Sequence, residues 1–134
     1  MHIHPIIVHF PIALFITALG LEILSLIFKK EVLERCAFYN YLLGIFGAIA
    51  AASVEWIANL PLAHPVFYTH RNFAHVTIIF SLASGAFLLM LKKRSARIFP
   101  IIFLLILLVT AILISVTGYY GGRLVYEYGV GVAE

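Results

Sequence analysis

The chain has 134 residues, 63% of them apolar and only 11% charged, with a formal net charge of +3. Soluble domains are roughly half apolar and about a quarter charged, so this chain lacks the polar surface that a water-exposed fold needs. Its positive residues sit at the ends of apolar stretches and not in a stripe interleaved with aromatics, which excludes nucleic-acid binding. A single cysteine, Cys36, excludes an internal disulfide, and beside a basic loop it reads as a reduced, structural thiol.

The first apolar stretch covers about residues 5–28 and is interrupted by His9, Pro11 and Glu22. Its opening, Met1-His2-Ile3-His4-Pro5, lacks the positive n-region of a cleaved signal peptide, so it reads as a retained span. The second covers about 37–60, carries Asn40, Glu55 and Asn59, and is stopped by Pro61. The third covers about 73–91, preceded by helix-capping side chains from Thr69 to Asn72. The fourth covers about 99–117, with Pro100 in its first turn, and Gly118, Gly121 and Gly122 are expected to end it. Segment 118–134 is then expected to be a compact hairpin or a short interfacial segment, its tyrosines at the headgroup level.

A helix needs about 20 mostly apolar residues to cross a hydrocarbon core roughly 30 Å thick. Four such spans with short connections occupy residues 1–134 as a single domain, an all-α, antiparallel up-down bundle of four transmembrane helices. Lys29, Lys30, Arg35, Lys92, Lys93, Arg94 and Arg97 lie in the first and third connections, seven of the nine Lys and Arg, against Arg71 and Arg123 on the opposite side. The positive-inside rule therefore places both termini on the extracytoplasmic side of the membrane.

All six histidines, His2, His4, His9, His64, His70 and His75, then fall at the extracytoplasmic face. His2 and His4 precede Pro5, and His64 and His70 fall in the second connection, so only His9 and His75 lie within spans, about one turn deep. An ionisable residue at that depth is a candidate for function, here ligation of a metal or cofactor. The plain alternative is a histidine hydrogen-bonded to its neighbours. His9, Ala13, Thr17 and Gly20 share one face of the first helix; Gly47, Ala51 and Glu55, and Gly44, Ala48 and Ala52, form two stripes on the second. Small residues permit close helix packing in lipid and also leave room for a flat macrocycle. On the third helix Ala74, Ser81 and Gly85 share a face from which His75 points about a quarter-turn away. Glu55 and Trp56 lie level with the histidines, where the carboxylate suits Arg71, Arg123 or a histidinium. Glu22, in the basic half of the first helix, is expected to pair locally, with Lys29 nearby, or to reach the interface. No second polar layer and no paired broken helices are apparent, so no through-path is expected.

Two end motifs carry a resemblance. His4 to Leu14 reads HPxxVHFPIAL, and Gly118 to Val132 reads GxxGGxLVYxxGVGV. Both are similar to the bacterial membrane family catalogued as domain of unknown function 2231, which also has a histidine opening the third helix, here His75. The resemblance implies a four-helix domain in a prokaryotic cytoplasmic membrane. It also implies a respiratory setting, because relatives occur fused to Rieske iron–sulfur or c-type cytochrome domains; that is an association and not a mechanism. Where many relatives read LVYRHGVGV, this chain has Glu127-Tyr128, so the second of those positions supplies no ligand here.

The leading expectation is an electron-transfer subunit of the b-type cytochrome kind, and not a free-standing enzyme. His9 and His75 would be the axial ligands of one haem b near the extracytoplasmic face, with His4, His64 or His70 as replacements. Arg71 and Arg123 would pair with the propionates, and Tyr119, Tyr120 and Tyr126 would shield the group. Electrons would pass between a quinone or quinol and an iron–sulfur or c-type cytochrome partner, within a larger complex. The alternatives are a zinc or copper site built from His4, His9, His64 or His70, and His75 with Glu55, or a structural or assembly subunit of a respiratory complex without its own cofactor.

Overall fold

In the computed structural model the chain forms four helices, α1 (Ile3–Phe28), α2 (Glu31–Ala58), α3 (Pro65–Arg94) and α4 (Phe99–Tyr126). The structure describes residues 3–58, 65–94 and 97–130, without the side chains of 3–6 and 54–58. All four helices are long and apolar enough to cross a bilayer. A helix satisfies every backbone polar group internally, which the hydrocarbon slab requires. The helices run up and down; α1 starts and α4 ends at what we call the terminal rim, and the Lys- and Arg-rich connections lie at the opposite, basic rim.

Three boundaries differ from the sequence expectation, each for a local reason. α2 begins at Glu31 and not near residue 37, because the chain reverses within two residues. Lys29 takes the left-handed conformation (φ 52°) and the Lys30 amide bonds the Ser25 carbonyl at 3.2 Å. Glu31 and Glu34 then fall in the first turn of α2, where carboxylates suit the helix dipole. α3 begins at Pro65 and not near residue 73, since proline is suited to a first turn, and the Thr69 hydroxyl donates back to the Pro65 carbonyl at 3.1 Å. His70 is thus a helix residue.

The third difference is at the C-terminus. α4 continues through Gly118, Gly121 and Gly122 to Tyr126, so the hairpin expected after residue 117 does not form over the described residues. Without water to bond the exposed backbone, glycine is a weak helix breaker inside a membrane. The helix ends where Gly129 takes φ 65° and the amides of Gly129 and Val130 return to the carbonyls of Val125 and Leu124.

α1 packs most extensively on α2 and also on α4, and α3 packs on α4 with a thin seam to α2. α1 and α3 therefore face each other across a diagonal. The core toward the basic rim is aromatic: Phe38 meets Phe99 and Phe103 edge-on at 5.9 and 5.8 Å, and Tyr41 meets Phe103 at 5.9 Å and Phe15 at 5.5 Å. The Lys92 ammonium lies 4.3 Å from the centre of the Phe38 ring and closes this end by cation–π attraction. Toward the terminal rim the contacts change to small residues. Pro11 of α1 sits against Gly47 of α2, and Ile12 against Gly118 of α4, so the two end motifs of the sequence pack into one layer.

Candidate functional site at the terminal rim

Among the described residues His70 is the histidine that the bundle buries, at 5% exposure. Its ring has two fixed neighbours. Nδ1 lies 2.9 Å from the backbone carbonyl of Thr117, and the ring edge rests on Gly121, where an added Cβ would stand 3.1 Å from Cε1. The Thr117 carbonyl only accepts, so Nδ1 must carry the proton. In the neutral ring Nε2 then holds the lone pair. This is how a backbone carbonyl fixes the tautomer of an imidazole that binds a metal or accepts a proton.

Below His70 the Thr77 and Thr117 hydroxyls approach to 3.3 Å, each also donating to a carbonyl one turn back. A cavity of about 30 Å³ opens beside them, lined by His70, Ala74 and Thr77 of α3, Ala48, Ala51 and Ala52 of α2, and residues of α1 and α4. The small residues of the second-helix stripes do leave space, as the sequence suggests. That space holds about one or two water molecules and is far too small for a porphyrin.

His9 and His75 are not brought together. Both are exposed. They stand on the diagonal pair α1 and α3, each turned away from its helix's buried stripe (Pro11, Phe15, Ala18 and Glu22 on α1; His70, Thr77 and Ser81 on α3). A haem standing between them inside one bundle does not fit this geometry. The expected propionate partners are also engaged elsewhere. Arg123 grips Glu127 one turn on with three hydrogen bonds of 2.8–2.9 Å, and the Arg71 guanidinium lies over the Tyr68 and Phe67 rings at 5.3 and 5.8 Å. Glu127, one of the two departures from the family pattern, is thus the partner of the motif arginine. Those hydrogen bonds hold its carboxyl below the usual carboxylate range. Of the shielding tyrosines, Tyr120 stacks on Phe73 at 5.9 Å, while Tyr119 and Tyr126 are exposed.

Among the described residues no three His, Cys, Asp or Glu side chains gather to hold a metal ion. His2 and His64, and the side chains of His4, Glu55 and Trp56, lie outside what the structure describes. Cys36 is exposed.

A second polar layer is present, contrary to the sequence expectation. Tyr41, fully buried, bonds the Ser84 hydroxyl at 2.7 Å, and Thr110 is buried too, its hydroxyl donating to the Ile106 carbonyl at 2.8 Å. Nearer the basic rim Glu22 is also fully buried, and neither of its carboxyl oxygens has a hydrogen-bond partner; it neither pairs with Lys29 nor reaches the interface. The sequence held a signal for part of this. Continuing the Ala74–Ser81–Gly85 stripe back by four residues lands on His70, and forward it takes in Ser84 and Leu88.

No curated protein and no solved structure matches the chain. The family described as predicted membrane protein (DUF2231) matches over residues 1–134. Its end motifs are the segments that build the rim around His70, and the chain belongs to that family.

Proposed function

We propose that the protein is the membrane-embedded subunit of an electron-transfer assembly and that it works at the terminal rim through the imidazole of His70. The observation that carries this reading is the buried ring with Nδ1–H committed to the Thr117 carbonyl and Nε2 left as the basic nitrogen. A nitrogen so oriented serves as an axial or metal ligand, or accepts the proton that a quinol-class carrier releases on oxidation. The redox setting rests on the family association with iron–sulfur and c-type cytochrome domains. In this reading the rim lies on the extracytoplasmic side of a prokaryotic cytoplasmic membrane, which the Lys and Arg distribution supports for the orientation, and such domains would meet it there. A haem b would not fit the cavity beside His70, so His70 could serve one only where the rim opens toward a second ligand from His4, His64 or a neighbouring chain.

The test is the absorbance of the protein purified from its own membranes, oxidised and reduced, with elemental analysis for zinc and copper. We expect a reducible Soret band that His70→Ala abolishes or shifts, while His9→Ala and His75→Ala leave it unchanged. Stoichiometric zinc or copper without a Soret band favours the metal-site alternative. A colourless, metal-free protein contradicts the electron-carrier reading and leaves the structural or assembly role.

A further inference from the structure

The cavity beside His70 reaches the surface between α2 and α3. Of its lining, Ala52 of α2, Ala74 and Ile78 of α3 and Val8 of α1 are partly exposed, and the rest is buried. Three of these four flank the seam where α2 and α3 pack thinly. Toward the basic rim the same seam is closed: the Tyr41 hydroxyl bonds Ser84, and Gly85 lies against the Ile45 side chain. Seven residues further along each helix stand Ala52 and Ile78, about 10 Å nearer the terminal rim. Ile49, one turn from Ala52, and Ile79, beside Ile78, are exposed apolar side chains. The mouth of the cavity therefore faces hydrocarbon and not water.

Inside, the donors are spent. Nδ1–H of His70 is given to the Thr117 carbonyl, and the Thr77 and Thr117 hydroxyls donate to the carbonyls of Phe73 and Leu113. The ring rests on Gly121 at Cε1, so the edge left for the cavity is that of Nε2. That nitrogen is not sealed in, since among the described residues the sealed, unpartnered side-chain atoms are the two oxygens of Glu22. An apolar cavity with one open acceptor and no open donor is selective. It takes a molecule that brings a hydroxyl, and it rejects an anion or a carbonyl compound, whose oxygen would be desolvated against walls that donate nothing.

We propose that the mouth between α2 and α3 is a lateral binding site for a neutral, lipid-borne phenol, hydroquinones included. Its hydroxyl donates to Nε2 of His70, and its apolar body lies against Ala52, Ala74 and Ile78. The cavity of about 30 Å³ admits the hydroxyl end in place of one or two waters, and the body stays in the mouth, in contact with lipid. The proposal rests on the reading of His70 as the working group of this rim. It adds the side of entry and a preference: a hydroquinone binds, and the quinone, which has no hydroxyl to give, does not.

The experiment uses the full chain, labelled with ¹⁵N at histidine, in phosphatidylcholine nanodiscs. It is titrated with para-hexylphenol and, separately, with the methyl ether of that phenol, which cannot donate. We expect the Nε2 signal of His70 to move with the phenol and saturate, and the ether to bind roughly tenfold more weakly or not at all. Ala74→Leu, which fills the mouth, should weaken the phenol by a similar factor and keep the Nδ1–H signal. Leu105→Ala, on the exposed face of α4, should change nothing. A shift that rises without saturating, an equal response to the ether, or full binding in Ala74→Leu overturns the proposal. Should Ala74→Leu fail to fold, the comparison of phenol and ether on the unaltered protein decides. A His70-dependent Soret band without a phenol response overturns this inference and leaves the electron-transfer reading standing. A phenol response in a colourless, metal-free protein supports the site and overturns the electron-carrier reading.

Discussion

At the basic rim the four helices close on large rings, Phe38, Tyr41, Phe99 and Phe103, interlocked edge to face and capped by Lys92. At the terminal rim they close on alanines, glycines and one imidazole, with a cavity of about 30 Å³ among them. Lipid tails are as apolar as the side chains, so association here rests on packing and on satisfied polar groups. The aromatic half gains its packing from ring contacts and tolerates no loss of volume. The small-residue half gains it from backbone approach and tolerates no added volume at its seams, yet it keeps room beside His70. Rigidity lies at one end and a shaped polar pocket at the other.

If this contrast is right, substitutions should divide by half. Phe103→Ala removes a fully buried ring that touches three others and should cost about 3–5 kcal/mol, read from unfolding in mixed micelles. Gly44→Ala and Gly121→Ala come next, at about 1–3 kcal/mol of overpacking. The first would bring a Cβ to 2.7 Å from the Phe15 ring, the second to 3.1 Å from that of His70. The two differ in kind. Gly44→Ala strains the α1–α2 seam alone, whereas Gly121→Ala should also lengthen the His70–Thr117 hydrogen bond and alter any His70-dependent spectrum.

Smaller effects sharpen the contrast further. Because Arg123 holds the Glu127 carboxyl below its usual range, the pair stabilises the end of α4 above the range where an unfolded glutamate ionises. That contribution falls away as the pH drops through the lower folded-state value. The acid limb of the unfolding midpoint against pH should be shallower in Glu127→Gln, by a small amount since the pair is exposed. Smallest of all should be Ala51→Val. Added methyls there grow toward the cavity, and the change should stay within about 1 kcal/mol; a loss comparable to that of Phe103→Ala would show the two halves to be packed alike.

Hydropathy alone made four helices and their antiparallel order legible, because length and apolarity decide what crosses a bilayer. Helix ends were less so, since Gly118, Gly121 and Gly122 signal a stop in water and a close contact in lipid. The same ambiguity hid the site. His70 reads as a loop residue as long as the capping side chains from Thr69 to Asn72 set the start of the helix near residue 73, eight residues after Pro65 begins it. His9 and His75 drew attention by depth, but depth does not fix direction, and on an apolar helix no polar face reveals which side turns inward. Glu22 illustrates the same limit: nearness to Lys29 in sequence suggested a pair, while the turn of α1 places the carboxyl on the buried stripe with Phe15 and Ala18.

The state of the His70 ring is the point on which the account of the terminal rim turns. ¹⁵N NMR of the protein labelled at histidine, in lipid at neutral pH, reads it directly. We expect the proton on Nδ1 and the lone pair on Nε2, a signal that vanishes in His70→Ala and persists in His9→Ala and His75→Ala. A His70 ring protonated at Nε2 instead could not donate to the Thr117 carbonyl and would contradict the proposed site.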